Sequence, residues 1–422
     1  MANPSADSNP IDRLSNLPDE LLVTILSFLP TRIAARTSVF CRRFRHLWEA
    51  SPSLDFDIRY ISFPKTDNFC AMAKRVLLSR NPSHPLLSLR LEGNFDRSAS
   101  LLPSLFAKAR SLNLRQLTIN CHFSKFSPFL PIIFTINSLR CLSLDCSLDP
   151  AISFPSGITL TCLRSLSLTL RGTGPTNLNG LLSELCSLED LQLYINITHE
   201  LSLSCQTIRK LKLIIAFSTQ KLEILGSCFP SLESLHLEIQ NGFGCLSQSH
   251  IHGEFSLLRK AVINLHRLHE GDVSAVARLL NCISHVEELS LHIKEWEFEK
   301  YPIPTLMEPG KDVPNFLKLQ QLDVTLCFHE HNFEAVTRML HNSPVLKSLK
   351  LVHEIPKFTG CARGRKRKDW GSRLPRNADR NCRYAYFKDL HLEKKRKEVI
   401  KLLSKKCSSK RQAHSKLGMN AV

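Results

Sequence analysis

The stretch LRCLSL, Leu139 to Leu144, returns with small changes along most of the chain, as LEDLQL at Leu188 to Leu193 and LESLHL at Leu232 to Leu237. Eleven copies of the pattern L-x-x-L-x-L, with conservative swaps, start at Leu86, Leu114, Leu139, Leu163, Leu188, Ile208, Leu232, Leu258, Val286, Leu319 and Leu346. Their mean period is 26 residues. The fourth and sixth positions alternate with polar ones, which is the periodicity of a strand with one buried side. The second position reads Leu87, Arg115, Arg140, Arg164, Glu189, Arg209, Glu233, Arg259, Glu287, Gln320 and Lys347, and nine of these eleven are charged. A charge at one fixed phase over so many copies marks a row that faces water. The copy at Leu258 is the weakest, because Ala261 takes its fourth position.

One such strand cannot bury its own apolar side, whereas stacked neighbours can. The 26-residue period falls inside the range of about 20–29 for leucine-rich repeats. The expected fold is therefore α/β, a curved solenoid with parallel strands on the concave side and helices or loops on the convex side. Short helical patterns precede several strands, as at Leu181 to Leu185 and Glu334 to Leu340. A proline often follows, as at Pro230 and Pro344; the residue before a proline disfavours helix. Asn or Cys at the ninth position stands only at Asn94, Asn196 and Cys327, so the repeats should be irregular and resemble degenerate plant-type copies.

Residues 12–50 read DRLSNLPDELLVTILSFLPTRIAARTSVFCRRFRHLWEA, which predicts three short helices. Pro18 suits a first helical turn, and Asp19 and Glu20 follow where the helix dipole favours negative charge. Leu21, Leu22, Ile25 and Leu26 make an apolar stripe that Phe28 and Leu29 extend, and Pro30 closes the helix. Thr31 is placed to cap the second helix, which runs toward Val39. A basic third helix holds Arg42, Arg43 and Arg45 on one side and Phe44, Leu47 and Trp48 on the other. About forty residues cannot enclose that much apolar surface alone. Either some of it faces a partner, or it packs onto the first repeat.

The same residues resemble the F-box motif. Leu17 to Pro30 carries the LP start and the ILSFLP block, Arg36 to Val39 follows, and Arg42 to Trp48 ends in LW. Phe44 stands where many members have Trp, and Thr31-Arg32 replaces a common Lys-Asp. The resemblance implies docking to the Skp-type adaptor, and through it to a cullin, of an SCF ubiquitin ligase. Its contacts would fall on Leu17, Pro18, Leu21, Ile25, Leu29, Val39 and Trp48. LDFDIRYISF (Leu54 to Phe63), a helix near Phe69 to Leu78 that would cap the solenoid, PLLSLRL (Pro85 to Leu91) and HNSPVLKSLKL (His341 to Leu351) are similar to the plant F-box/FBD/LRR group. The expected organisation is a flexible N-terminus at 1–11, an F-box at 12–52, a linker and solenoid cap at 53–85, repeats at 86–355, and a basic, poorly ordered tail at 356–422.

Composition narrows the chemistry. Of 56 Lys and Arg and 38 Asp and Glu in the chain, 21 basic and 5 acidic residues lie in Lys357 to Val422. That tail is +16 of the formal +18, so the body is near neutral. Arg363, Arg365, Lys366, Arg367 and Lys368 form a nuclear-import candidate, with a second basic run at Lys394 to Lys397. Residues 387–403 read as a basic helix, and Tyr384, Tyr386 and Phe387 could stack on bases, but no nucleic-acid-binding fold accompanies them. The fifteen cysteines include no CxxC pair, which argues against a zinc site or disulfide framework. No apolar run is long enough to span a membrane, and Met1 to Pro10 lacks a signal-peptide layout, so nucleus or cytoplasm is expected. Walker, G-x-S-x-G and H-E-x-x-H layouts are missing; Gly242 to Gly244 reads as a turn, and His329-Glu330-His331 as solvated. No enzyme, cofactor or metal is expected.

Three functions fit. The first is an SCF substrate receptor whose repeats bind a protein target; the others are a ligase-independent scaffold and a small-molecule sensor. Outward strand positions that could meet a target are Gln192, Tyr194, Lys210, Lys212, His236, Glu238, His292 and Asp323.

Overall fold

The computed structural model describes residues 13–14, 16–57, 71, 73–78, 80–81, 83–93, 102–121, 129–148, 157–172, 178–197, 201–216, 222–240, 250–266, 272–294, 313–326, 330–353 and 386–391. The segment 1–11, the turn at Gly242 to Gly244 and the basic runs Arg363 to Lys368 and Lys394 to Lys397 lie outside the described residues. Two compact units emerge, Met1–Ser147 with Pro155–Arg164, and Leu148–Phe154 with Ser165–Val422.

The first unit opens with α1 (Asp19–Ser27), α2 (Thr31–Arg36) and α3 (Phe44–Leu47), with single 3-10 turns at Thr37–Val39 and Trp48–Ala50. Asp19 and Glu20 do occupy the first turn of α1. Thr31 departs from its expected capping role. Pro30 takes the cap position, and Thr31 is the first residue inside α2. Its hydroxyl is thereby free to accept the Asp55 N–H at 2.6 Å, which ties α2 to the strand that follows. That strand, β1 (Ser53–Asp57), buries Leu54 and Phe56 on alternate positions. It pairs in parallel with β2 (Ser88–Gly93), which pairs with β3 (Gln116–Cys121), and that with β4 (Cys141–Leu148). The ladder thus begins one strand before the first counted copy. Residues 73–78 are helical, within the span expected to hold the cap, and bury Ala73, Val76 and Leu77.

The second unit carries β5 (Ser165–Gly172), β6 (Asp190–Ile197), β7 (Leu201–Leu203), β8 (Lys210–Ile215), β9 (Leu222–Leu225), β10 (Ser234–Ile239), β11 (His250–His252), β12 (Lys260–His266), β13 (Glu288–Lys294), β14 (Gln321–Leu326) and β15 (Ser348–His353). From β5 through β6, β8, β10, β12, β13 and β14 to β15 every pairing is parallel and in chain order. Each of the eleven sequence copies supplies one strand of a ladder. Even the weak copy does so, since Ala261 is fully buried. In eight of the eleven copies a buried residue three positions before the first apolar residue begins a tight turn: Leu232 N–H donates to Phe229 O at 3.2 Å, and Leu258 N–H to Phe255 O at 2.9 Å. Phe229, Phe255 and Phe316 stand at this phase and are fully buried.

Two expectations need correction. Helices do lie between strands, as at Leu178–Glu184, Val273–Cys282 and Glu330–His341, but the middle of this unit uses strands instead. There β7, β9 and β11 form a small parallel sheet. Their cores alternate over only three or four residues, too short for a helix, and Leu203, Ile224 and Ile251 turn inward. The second correction concerns the tail, where the start of the expected basic helix is β16 (Tyr386–His391), antiparallel to β15. The last parallel strand leaves a row of open N–H and C=O groups, and a strand satisfies them where a helix cannot.

Gly226 and Gly253 bring two segments of this unit into close contact. A Cβ at Gly226 would stand 2.5 Å from the Glu254 carbonyl oxygen, and Gly253 has φ +85°. Gly226→Ala is expected to cost about 1–3 kcal/mol, since backbone must move to admit the methyl. Chemical denaturation should show this loss, with Ser227→Ala close to wild type.

Candidate functional site

The side chains of the three N-terminal helices divide into two sets. Leu22 and Leu26, one turn apart on α1, point inward with Ala34, Phe44 and Trp48. The adjacent stripe of α1 points to solvent: Leu21, Ile25, Phe28 and Leu29 are exposed, Phe28 at 81%. Ile33 on α2 joins them, with Val39 at 82% and Phe40 at 76% in the following turn. This apolar surface does not pack onto the first repeat. Monomeric proteins rarely leave so many large apolar side chains bare, and a largely exposed one such as Phe28 or Val39 would gain about 1.5–3 kcal/mol on full burial.

Of the residues matched to adaptor contacts, Leu21, Ile25, Leu29 and Val39 lie on this outward surface, with Pro18 exposed and Leu17 half-buried at its edge. Trp48 does not. It is 5% exposed, and its Nε1–H donates to Arg45 O at 3.1 Å, so it supports the helices from within. Phe28, Ile33 and Phe40 are outward residues that sequence matching passed over. Arg43 fastens the start of α1: its Nε donates to Asp19 Oδ1 at 2.7 Å and its Nη2 to Leu17 O at 2.5 Å.

A second residue left unassigned by the sequence is Arg80. It is buried, and its guanidinium donates to five carbonyls. These are Glu49 (2.7 Å), Ala50 (3.2 Å) and Ser51 (2.7 Å) at the end of the helices, and His84 (2.9 Å) and Pro85 (3.1 Å) at the start of the first counted repeat. Burial lowers its pKa to about 10, still well above neutrality, so the charge and all five bonds persist. The N-terminal helices are thereby held to the strands of their own unit.

The second unit presents a polar face. Gln192, Lys212, His236, Val262, Ser290, Asp323 and Lys350 form one continuous row across its strands. Tyr194, Ile214, Glu238, Asn264, His292 and Thr325 form the next, so seven of the eight expected target positions share two rows; Lys210 stands two residues before Lys212 on β8. Glu238 lies among His236 Nε2 (3.9 Å), His266 Nε2 (3.8 Å) and Gln240 Nε2 (3.0 Å). The His236 pKa is lowered, first by burial and then by Lys212, with Glu238 opposing. Lys350 pairs with Asp323 at 2.8 Å and Lys260 with Glu288 at 2.8 Å. Among the described residues no group of His, Cys, Asp and Glu could hold a metal ion, and no helix is long and apolar enough to cross a membrane.

Comparison with known proteins fits both surfaces. An F-box domain family model matches residues 14–55. A second, described as the At1g61320/AtMIF1 LRR domain, matches residues 95–359, more than half of the chain. The chain belongs to the plant F-box/FBD/LRR-repeat family. Within this family, F-box/LRR-repeat protein 25 of Arabidopsis thaliana is 33% identical over 224 residues, 52% of this chain and 78% of that protein. FBD-associated F-box protein At5g60610 of the same plant is 26% identical over 349 residues, 81% of this chain and 83% of that one. F-box/FBD/LRR-repeat protein At2g04230, also from that plant, is 35% identical over 171 residues, which covers 38% of this chain and 37% of its own length.

Inward and outward leucines of α1 should respond oppositely to substitution. Leu22→Ala is expected to destabilise the first unit by about 2–5 kcal/mol, while Leu21→Ala stays within about 0.5 kcal/mol of wild type. Thermal or denaturant unfolding followed by Trp48 fluorescence, with Trp296 and Trp370 replaced by Phe, separates the two.

Proposed function

We propose that this chain is a substrate-recognition adaptor of an SCF ubiquitin ligase. The observation that carries this reading is the outward stripe of Leu21, Ile25, Phe28, Leu29, Val39 and Phe40, left bare although Leu22, Leu26, Phe44 and Trp48 already fill the core beneath it. A partner of matching apolar shape would bury it, and membership of an F-box family names that partner class as a Skp-type adaptor linked to a cullin. The repeats would hold a protein target on their polar outward rows.

The mechanism is proximity. Binding at two surfaces of one chain raises the effective concentration of a target lysine near a ubiquitin-conjugating enzyme. No bond is made or broken by this chain. Arg80 serves the mechanism by keeping the docking helices and the nearest strands in one fixed geometry, so that less orientational freedom is lost during transfer. The basic runs at Arg363 to Lys368 and Lys394 to Lys397 support nuclear import as a further proposal, with cytoplasmic residence as its alternative.

Purified full-length chain should retain a recombinant Skp-type adaptor on affinity resin, and Leu21→Asp with Ile25→Asp should abolish retention while the melting profile stays unchanged. No retention by wild type, or equal retention by the folded double variant, would overturn the proposal.

A further inference from the structure

The second positions of the repeats form a continuous row in each unit, because the backbone ladder passes through them. In the second unit, Arg209 N–H donates to Glu189 O at 2.8 Å, Glu233 N–H to Arg209 O at 2.8 Å, Arg259 N–H to Glu233 O at 2.9 Å, and Glu287 N–H to Arg259 O at 2.8 Å. The side chains of that row alternate in sign: Glu189, Arg209, Glu233, Arg259, Glu287. The pair Arg209 to Glu233 closes at 2.7 Å. Adjacent strands lie about 4.8 Å apart, so opposite charges at neighbouring places stabilise the stack and like charges oppose it.

The first unit breaks this rule. Arg140 N–H donates to Arg115 O at 2.7 Å, and Arg164 N–H to Arg140 O at 2.8 Å. Three exposed arginines therefore follow one another at the same phase. Among the described residues neither Arg115 nor Arg140 has an ion pair. Arg90 binds both Glu92 and Asp55, and Asn120 donates to Glu92 at 3.1 Å. A row of like charges on neighbouring strands costs stability in the free chain, and an anionic partner would offset that cost.

We infer that Arg115, Arg140 and Arg164 form a docking row for an acidic peptide segment of a protein. Arginine forks bind carboxylates in pairs, which suits Asp and Glu side chains. The strand spacing of about 4.8 Å is close to the helical pitch of about 5.4 Å, so acidic residues one turn apart on a helix laid along the row would meet successive arginines. Nucleic acid fits less well. Asp145 stands farther along β4 and would repel a phosphate backbone spread across the face, and the positions beside the row are Gln116, Thr118, Cys141 and Ser143, none of them aromatic. As the place where a degradation target docks, the row rests on the receptor reading above; as a binding surface it does not.

The test uses full-length protein and a short fluorescent peptide with Glu at helical spacing, read by anisotropy without any adaptor. The tail's charge attracts any acidic peptide, so the control is charge-matched. Arg115→Glu with Arg140→Glu should weaken binding about tenfold or more, while Lys318→Glu with Lys347→Glu, equally exposed in the second unit, changes it less than about twofold. Equal loss in both double variants, or no loss in the first, overturns the inference. Stability supplies a second readout. Arg140→Glu alone puts a carboxylate between Arg115 and Arg164 and should raise the melting midpoint by about 1–3 °C. An unchanged or lowered midpoint would contradict the like-charge cost. Because no adaptor is present, failure here leaves the ligase proposal standing, and failure of the adaptor pull-down leaves this row standing.

Discussion

A strand with one apolar row is stable only beside another strand in the same register. This constraint shapes the chain. Leu211 is level with Leu235, and Leu235 with Ala261, because a slip of one residue would turn every inward side chain to water. The register of the core also fixes the register of the outside. Charges at the second position, and polar groups two and four places into each strand, fall into rows that no local interaction would have aligned. The outward rows of this protein are consequences of core packing, one layer removed.

The N-terminal helices join that order through backbone. Thr31 accepts a bond from β1, and Arg80 gathers five carbonyls from both sides of the junction. A buried guanidinium without a carboxylate normally carries a desolvation cost, seen here as its lowered pKa. Five carbonyl bonds offset the cost, and the junction becomes an extension of the sheet of its own unit. The apolar stripe of α1 is then held out from a base tied to the strands of its own unit.

Much of this was legible in the sequence. Period and charge phase gave all eleven strands, because burial imposes the same chemistry on every copy. The F-box stood in a contiguous motif. What stayed hidden depends on contacts between distant residues. Leu21 and Leu22 look alike in a helical stripe; only the positions of Phe44 and Trp48 decide which is inside. The same contacts bury Trp48. Arg80 is one of 56 basic residues, and its partners are carbonyls that every residue possesses. The small sheet of β7, β9 and β11 rests on alternations too short to read, and β16 on an open edge that exists only once β15 is in place. The row of Arg115, Arg140 and Arg164 was visible as letters, but its meaning needed the ladder that stacks them.

Hydrogen exchange along the full-length chain, measured with and without a recombinant Skp-type adaptor, addresses the central claim most directly. That claim is a docking face held bare on an already folded base. Adaptor should slow exchange across residues 19–40 and leave residues 234–239 and 260–265 unchanged, since those ladder amides are bonded in the free chain. Unchanged exchange in 19–40, or slowing confined to the repeats, would contradict the account.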